Sequence, residues 1–282
     1  MTNIALMGAG GKMGCRITKN LKDDPHYSML YVEISQAGIA NLTELGVATT
    51  SQEEALKQAE AVILAVPDAL IGQICTEIVP LLRRGAMVIG LDPAAGYAGI
   101  LPERGDITYF ITHPCHPPVF NDETDPRAQH DWFGGEYARQ SIVCALHQGP
   151  EEDYAKGEAI ARAMFAPILR SHRVTTEQMA ILEPGLVETL SATCLSVIRE
   201  GLDEAIRLGV PEQAARDFLY GHLRVELAII FDEAGFPFSD GAIFAINQAK
   251  KKIFQPDWKR VMAIESIQES VKDITQATTN QP

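Results

Sequence analysis

Three residues stand out for the chemistry that their types and settings allow: His113, His116 and Glu183. The two histidines lie in ITHPCHPPVF, residues 111 to 120, with Cys115 between them and three prolines around them. An imidazole titrates near neutrality, so His113 can accept a proton from a substrate hydroxyl or ligate a metal. The prolines fix φ and lower the entropy cost of holding that side chain in place. His116 shares the loop, although a proline-locked turn could equally hold it in solvent. Cys115 would suit a thioester-forming nucleophile; we read it instead as a buried packing residue.

Glu183 poses a different question. On a helix its neighbours three and four residues away are Met179, Ala180, Leu186 and Val187, all apolar. A carboxylate on such a stripe needs a partner, because burying an unpaired charge is costly. Pro184-Gly185 follow and predict a kink. One reading is a structural ion pair with an arginine. The favoured one is a ligand or acid/base group facing a cleft. A divalent metal, zinc or magnesium, is chemically reasonable there. One short loop offers too few ligands, so His113 and Glu183 would share the metal from separate segments. They would meet across a domain boundary and leave positions open for substrate oxygens.

A cofactor pattern lies upstream. The apolar run Asn3 to Met7 leads into Gly8-Ala9-Gly10-Gly11-Lys12-Met13-Gly14 and then into helical spacing. This is strand, glycine turn, helix, in which Gly8 makes the tight turn and Gly10 or Gly11 brings N–H groups to a pyrophosphate. The fingerprint is irregular. Met13 occupies the usual third glycine position, and Gly14 comes one residue later. Glu33 closes the next strand, where a carboxylate can accept hydrogen bonds from an adenosine ribose diol. It would repel a 2′-phosphate, and no arginine follows in ISQAG, so NAD is expected rather than NADP. Val66-Pro67-Asp68 end a third, wholly apolar strand and are expected to border the cofactor.

These side chains need a frame. Strands are expected at 29–34, 61–66, 87–91, 107–112, 141–146 and 168–174, alternating with helical patterns at 69–82 and 151–165. That alternation predicts an α/β fold whose N-terminal part is a doubly wound Rossmann sheet, with ITHPCHPPVF at the carboxyl end of a strand. Residues 121–140, polar and carrying Gly134-Gly135, read as a loop or lid. From Thr175 onward strand signals cease. Thr176 is expected to cap a long, largely apolar central helix. Further helices follow at 211–233, 240–254 and 257–274, and the tail TQATTNQP is expected to fray. The expected division is an NAD-binding domain over 1–174 and an all-helical substrate and dimerisation domain over 175–282. His222 and Glu226 share a helix face, either as a local pair or as substrate contacts.

The 282 residues carry a net charge of −13 and a sequence pI near 5.0. Nucleic acid is therefore a poor partner, since phosphate binding needs clustered basic residues. Five cysteines without a CxxC pair argue for reduced thiols rather than a disulfide framework or zinc ribbon. The N-terminal residues lack a basic region and a long apolar run. No segment is expected to span a membrane, and the expected setting is cytoplasmic.

A Rossmann domain followed by helices built on one long helix resembles the 6-phosphogluconate dehydrogenase-like superfamily of NAD(P)-dependent oxidoreductases. GAGGKMG looks like the glycine turn of prephenate dehydrogenases, and His113-Pro114 like their catalytic His-Pro. Pro184-Gly-Leu-Val-Glu-Thr-Leu190, His222-Leu-Arg-Val-Glu226 and Glu233-Ala-Gly235 are similar to the helical core of ketol-acid reductoisomerases. THPCHPPVFND together with ILEPG resembles most closely the D-apionate oxidoisomerase group. The resemblance implies NAD-linked oxidation of a small polyhydroxy acid, followed by a 1,2-migration, in a homodimer. Two departures accompany it. Residues 177–190 hold no lysine where β-hydroxyacid dehydrogenases carry a catalytic one, which leaves a non-catalytic NAD sensor as the alternative. The leading VTTEQ offers only Glu177 where reductoisomerases use paired carboxylates for two magnesium ions.

Overall fold

The computed structural model describes residues 1–276. The chain opens with β1 (Thr2–Met7), the glycine turn and α1 (Lys12–Leu21), then β2 (Tyr27–Val32). Two helices absent from the sequence reading follow, α2 (Gln36–Glu44) and α3 (Gln52–Gln58). Both start on serine caps, with Ser35 accepting from Gly38 N–H and Ser51 from Glu54 N–H. Next come β3 (Ala61–Leu64), α4 (Asp68–Ile78), β4 (Met87–Gly90) and a single turn, α5 (Ala94–Tyr97). β5 (Thr108–Pro114), β6 (Gln140–Gln148), α6 (Asp153–Met164) and β7 (Ile168–Arg173) complete the α/β part.

The seven strands form one sheet in the order β2-β1-β3-β4-β5-β6-β7. All pairings are parallel except β5 with β6, so the expected doubly wound sheet is present with an antiparallel junction at its far side. β3 is buried throughout, as a strand covered on both faces must be. One face packs Ile4, Leu6, Ile63, Ile89 and Phe110 under α1 and α6. The other packs Val62, Leu64, Val88 and Tyr109 under α3 and α4. The strand order reverses at β1, which leaves a crevice beyond the carboxyl ends of β1 and β3.

The long helical run differs from the expected single α-helix. Thr175, not Thr176, is the cap, and it forms a reciprocal capping box with Gln178. α7 (Thr176–Ala180) passes into a π-helix over Ile181–Ala192 and then into α8 (Thr193–Arg207). The cause sits in the sequence. Pro184 has no N–H to give Ala180, so the α ladder cannot continue and the turn widens. α9 (Glu212–Ile230), α10 (Asp240–Ile253) and α11 (Ile264–Gln276) follow. Thr275 and Gln276 of the tail expected to fray belong to α11; the rest of that tail lies outside the described residues.

Two compact units result. The first is Met1–Pro184 together with the C-terminal segment from Ile267, and the second is Gly185–Ser266. In the first, Ile267 and Val271 of α11 bury against Ala94 and Ala180. The sequence reading ended its first domain near Val174 and assigned all later residues to the second. In the second unit α8 packs on α9, yet only Leu202 and Ala215 there are buried apolar side chains. The helical run Thr176–Arg207 is long and apolar enough to cross a membrane by length and composition. This corrects the expectation that no segment meets that test.

Candidate active site

β5 runs through His113 to Pro114, two residues beyond the expected end at 112. His113 faces Val143 of β6 in register, and Cys115 N–H still donates to Ser141 O. The histidine therefore stands on a rigid strand end rather than on a free loop. Its Nδ1 lies 2.7 Å from Leu91 O. A carbonyl only accepts, so Nδ1 carries the hydrogen and Nε2 is left to face the site. His113 Nε2 is 3.3 Å from Glu183 Oε2, and both side chains are 20% exposed. The sequence pairing of these two residues is thus seen directly. It occurs inside the first unit, not across a domain boundary.

A third candidate ligand joins them. Donor atoms of Asp92, His113 and Glu183 all lie within 4.8 Å of one another. Asp92 follows β4 directly, and one of its oxygens accepts from Ala94 N–H at 2.7 Å. The loop after β4 thus supplies both the carbonyl that orients His113 and a carboxylate beside it. Sequence reasoning recorded Asp92 only as a strand ending. The usable signal was an Asp-Pro at the carboxyl end of a central strand, where open α/β sheets bind ligands. Asp68 belongs to the same electrostatic group. Burial, reinforced by Asp92 and Glu183 and opposed by His113, pushes its carboxyl up to about 6. Expected to border the cofactor, Asp68 stands at the first turn of α4 and is coupled to the His113 cluster.

The donor set fits a divalent cation. It offers one imidazole nitrogen and two carboxylates at half-buried positions, with a third carboxyl nearby, and these negative charges repel one another unless compensated.

His116 lies in the same loop with its backbone at φ +61, the left-handed region that a β-carbon disfavours. Its Nδ1 is 3.0 Å from Phe133 O, and its ring meets that of His113 edge-on at 6.1 Å. Cys115 between them is exposed, which corrects the reading of a buried packing thiol. His222 stacks on Phe218 with centroids 4.0 Å apart and reaches back to Phe218 O. It thus engages the preceding helical turn.

The glycine turn is built for close approach. Gly8 adopts φ +69, and a β-carbon there would lie 2.4 Å from Ala65 O, so β1 and β3 end in contact. Gly14 does the work of the displaced third glycine, since a β-carbon would fall 2.2 Å from Gly8 O. Gly10 N–H is already committed to Glu33 Oε2 at 3.0 Å, and Gly11 N–H to Gly8 O. The first intrahelical bond is Cys15 N–H to Gly11 O, so the donors at the open end of α1 are those of Lys12, Met13 and Gly14. Gly11, the cap, brings no side chain over them. Glu33 also accepts from Ile34 and Ser35 N–H. Burial raises its pKa, but these bonds from Ser35, Gly10 and Ile34 outweigh it and hold the carboxyl below its ordinary value. Ala65 N–H donates to Met7 O, and Val66 and Pro67 continue past β3 to the start of α4.

Comparison with known proteins matches residues 1–98 to the acetohydroxy acid isomeroreductase NADPH-binding domain. Residues 121–275 match the C-terminal region of decarboxylating phosphogluconate dehydrogenase. D-apionate oxidoisomerase of Cupriavidus necator is 54% identical over 96% of this chain and 99% of its own. The enzyme of that name from Blautia hydrogenotrophica is 40% identical over 92% and 91%. A crystal structure from Cupriavidus necator, described as a semialdehyde dehydrogenase NAD-binding protein in complex with calcium and NAD, superposes with TM-score 0.95. It shares 53% identity and covers 98% of this chain and 100% of its own. An NADH-preferring ketol-acid reductoisomerase from an uncultured archaean, at 19% identity and TM-score 0.67 over 97% of this chain and 82% of its own, shares the fold. Taken with the glycine turn and the His113 cluster, this near full-length identity shows that the chain belongs to the D-apionate oxidoisomerase family of oxidoreductases.

Proposed function

We propose that this chain oxidises the 2-hydroxyl of D-apionate with NAD and then isomerises the product to 3-oxoisoapionate. In the first step the C2 hydrogen leaves as hydride and the hydroxyl proton is released, giving a 2-oxo acid beside a tertiary alcohol. In the second a hydroxymethyl group moves with its bonding pair from C3 to C2. The C3 hydroxyl becomes the carbonyl and its proton passes to the C2 oxygen. The balance is one substrate and one NAD to one product, one NADH and one proton.

The observation that carries this reading is the convergence of Asp92, His113 and Glu183 at the carboxyl ends of β4 and β5. Migration needs two neighbouring oxygens handled together, and this cluster presents three acceptors to one point. His113, fixed by Leu91 O, turns its Nε2 lone pair there. Asp92, His113 and Glu183 would hold a divalent cation, which when bound polarises the two substrate oxygens. His116, whose ring adjoins that of His113, is assigned to substrate binding. NAD, when bound, accepts the hydride. Lys12 and Met13 N–H would receive its pyrophosphate, while Gly8, Ala9, Gly10, Gly11 and Gly14 shape the turn. A ribose hydroxyl would donate to Glu33, whose oxygens already take the N–H groups of Gly10, Ile34 and Ser35. Val66-Pro67 would border the other half of the cofactor.

We assign a homodimer and a cytoplasmic setting to the same reading. Phe218, Phe231, Phe236 and Phe244 of the second unit are 58% to 69% exposed, a density of aromatic surface that fits a second copy. The five cysteines are free thiols.

Turnover with a panel of sugar acids tests the assignment. NADH should form with D-apionate, and His113→Ala and Glu183→Gln should each abolish it while NAD binding persists. Normal turnover by Glu183→Gln would reduce Glu183 to an ion-pair partner, and equal rates with NADP would remove the role given to Glu33.

A further inference from the structure

We propose that Phe133 is a positioning residue for His116, joining the helix that carries the glycine turn to the histidine loop. The inference rests on the assignment of His116 to the substrate site. Residues 121–140, expected as a loop or lid, form a pinned strap. Asp131 gathers the N–H groups of Glu136, Tyr137 and Ala138 on one oxygen. Lys19 pairs with Glu136 at 2.6 Å, and Arg16 donates to Gly134 O at 3.2 Å. Arg139 grips Glu123 and Asp122. The strap is thereby fastened along α1 and to itself.

Phe133 stands where these fastenings converge. Its ring is covered by Lys12 Nζ at 3.9 Å and by the Arg16 guanidinium at 4.5 Å, both from the first turns of α1. Its ring and that of His116 stand at right angles with centroids 5.4 Å apart. Its carbonyl takes the His116 Nδ1–H, which fixes the tautomer and leaves Nε2 as the acceptor. His116 cannot relax by itself, because its φ of +61 is one that surrounding contacts must enforce. Its ring in turn abuts that of His113. The path runs without a break from Lys12 and Arg16 through Phe133 and His116 to His113. Two cations lie over one aromatic ring, and that ring meets the histidine at right angles. No titration and no movement is required, only that the ring stay in place.

Removing the ring while keeping an apolar side chain isolates this role. Phe133→Leu should lower kcat roughly tenfold and raise the KM for the sugar acid, since small misplacements of site groups carry such losses. The KM for NAD should stay within about twofold and the Tm within a few degrees. Phe133→Tyr, which restores the aromatic face, should recover most of the activity. Ring-nitrogen NMR should show His116 as the Nδ1–H tautomer in the wild type, Phe133→Tyr and Phe133→Leu alike, because all three keep the carbonyl of residue 133, so that the kinetic loss reports the ring. Phe133→Leu combined with His116→Ala should be no worse than His116→Ala alone. Wild-type kinetics in Phe133→Leu, a loss confined to the KM for NAD, or independent losses in the double variant would overturn the positioning role. Full activity in His116→Ala would overturn the substrate-site assignment of His116 itself, and this inference with it.

Discussion

Asp68 shows how one side chain reports the charge of the whole site. Its carboxyl is pushed up to about 6 from an ordinary 3.8, first by burial and then by the neighbouring Asp92. The folded protein therefore keeps this proton to a higher pH than the unfolded chain does. The associated stability is complete below about pH 4 and is lost as pH climbs through about 6. Above that, an ionised Asp68 stands beside Asp92 and Glu183. In cation-free enzyme Asp68→Asn should melt about 4 °C above the wild type at pH 8, and the two should converge towards pH 4. Thermal scans in a chelator across that range check it. A variant no more stable at pH 8 would mean that Asp68 does not feel the cluster. Addition of a divalent cation should raise the wild-type Tm, because ligand bound only by the native state stabilises it.

Among the elements, the π-helix over Ile181–Ala192 is the one whose shape bears most directly on chemistry. Glu183 meets His113 from within it. If Pro184 is what prevents α winding, Pro184→Ala should let the segment tighten, and a change of helical phase would turn Glu183 away from His113. We expect kcat to fall about tenfold or more with little loss of Tm, a combination that separates misalignment from unfolding. Unchanged kcat would mean that the helix holds its shape without the proline. The same segment marks the limits of sequence reading. The carboxylate of Glu183 among apolar neighbours was legible, although only Met179 and Ala180 of those neighbours are buried, while Leu186 and Val187 are exposed. The π winding was not, since a proline announces a break but not the geometry that follows. The strands were legible from continuous apolar runs such as AVIL in β3. α2 and α3 were missed because both are short, and their serine caps carry the signal that their weak periodicity lacks. Asp92 was missed because the reading searched within segments, whereas the sheet joins β4 to β5.

For the whole molecule, apolar surface and cofactor chemistry point to separate tasks for the two units. The second unit buries few of its own side chains and exposes Ile230, Phe231, Phe244 and Ile253. Sedimentation should give a homodimer, and Phe218→Glu combined with Phe244→Glu should shift it towards monomer. A wild-type monomer at micromolar concentration would remove the dimer assignment. The NAD fingerprint, the irregular glycine spacing and Glu33 were all readable in the first unit, because each is a local pattern of strand, turn and helix. That Glu33 binds the glycine turn itself, through Gly10 N–H, was not. It depends on how α2 brings Gly38 against Gly10, which no local pattern encodes.

The central claim is that one site, built on Asp92, His113 and Glu183, supports both the oxidation of the substrate by NAD and its rearrangement. It is tested most directly by carbon-13 NMR of D-apionate turning over with NAD, with NADH read by absorbance in the same sample. The account predicts 3-oxoisoapionate appearing in step with NADH, one for one, with no build-up of an unrearranged 2-oxo acid. NADH formed alongside a stable, unrearranged 2-oxo acid would contradict it and leave a simple hydroxy-acid dehydrogenase.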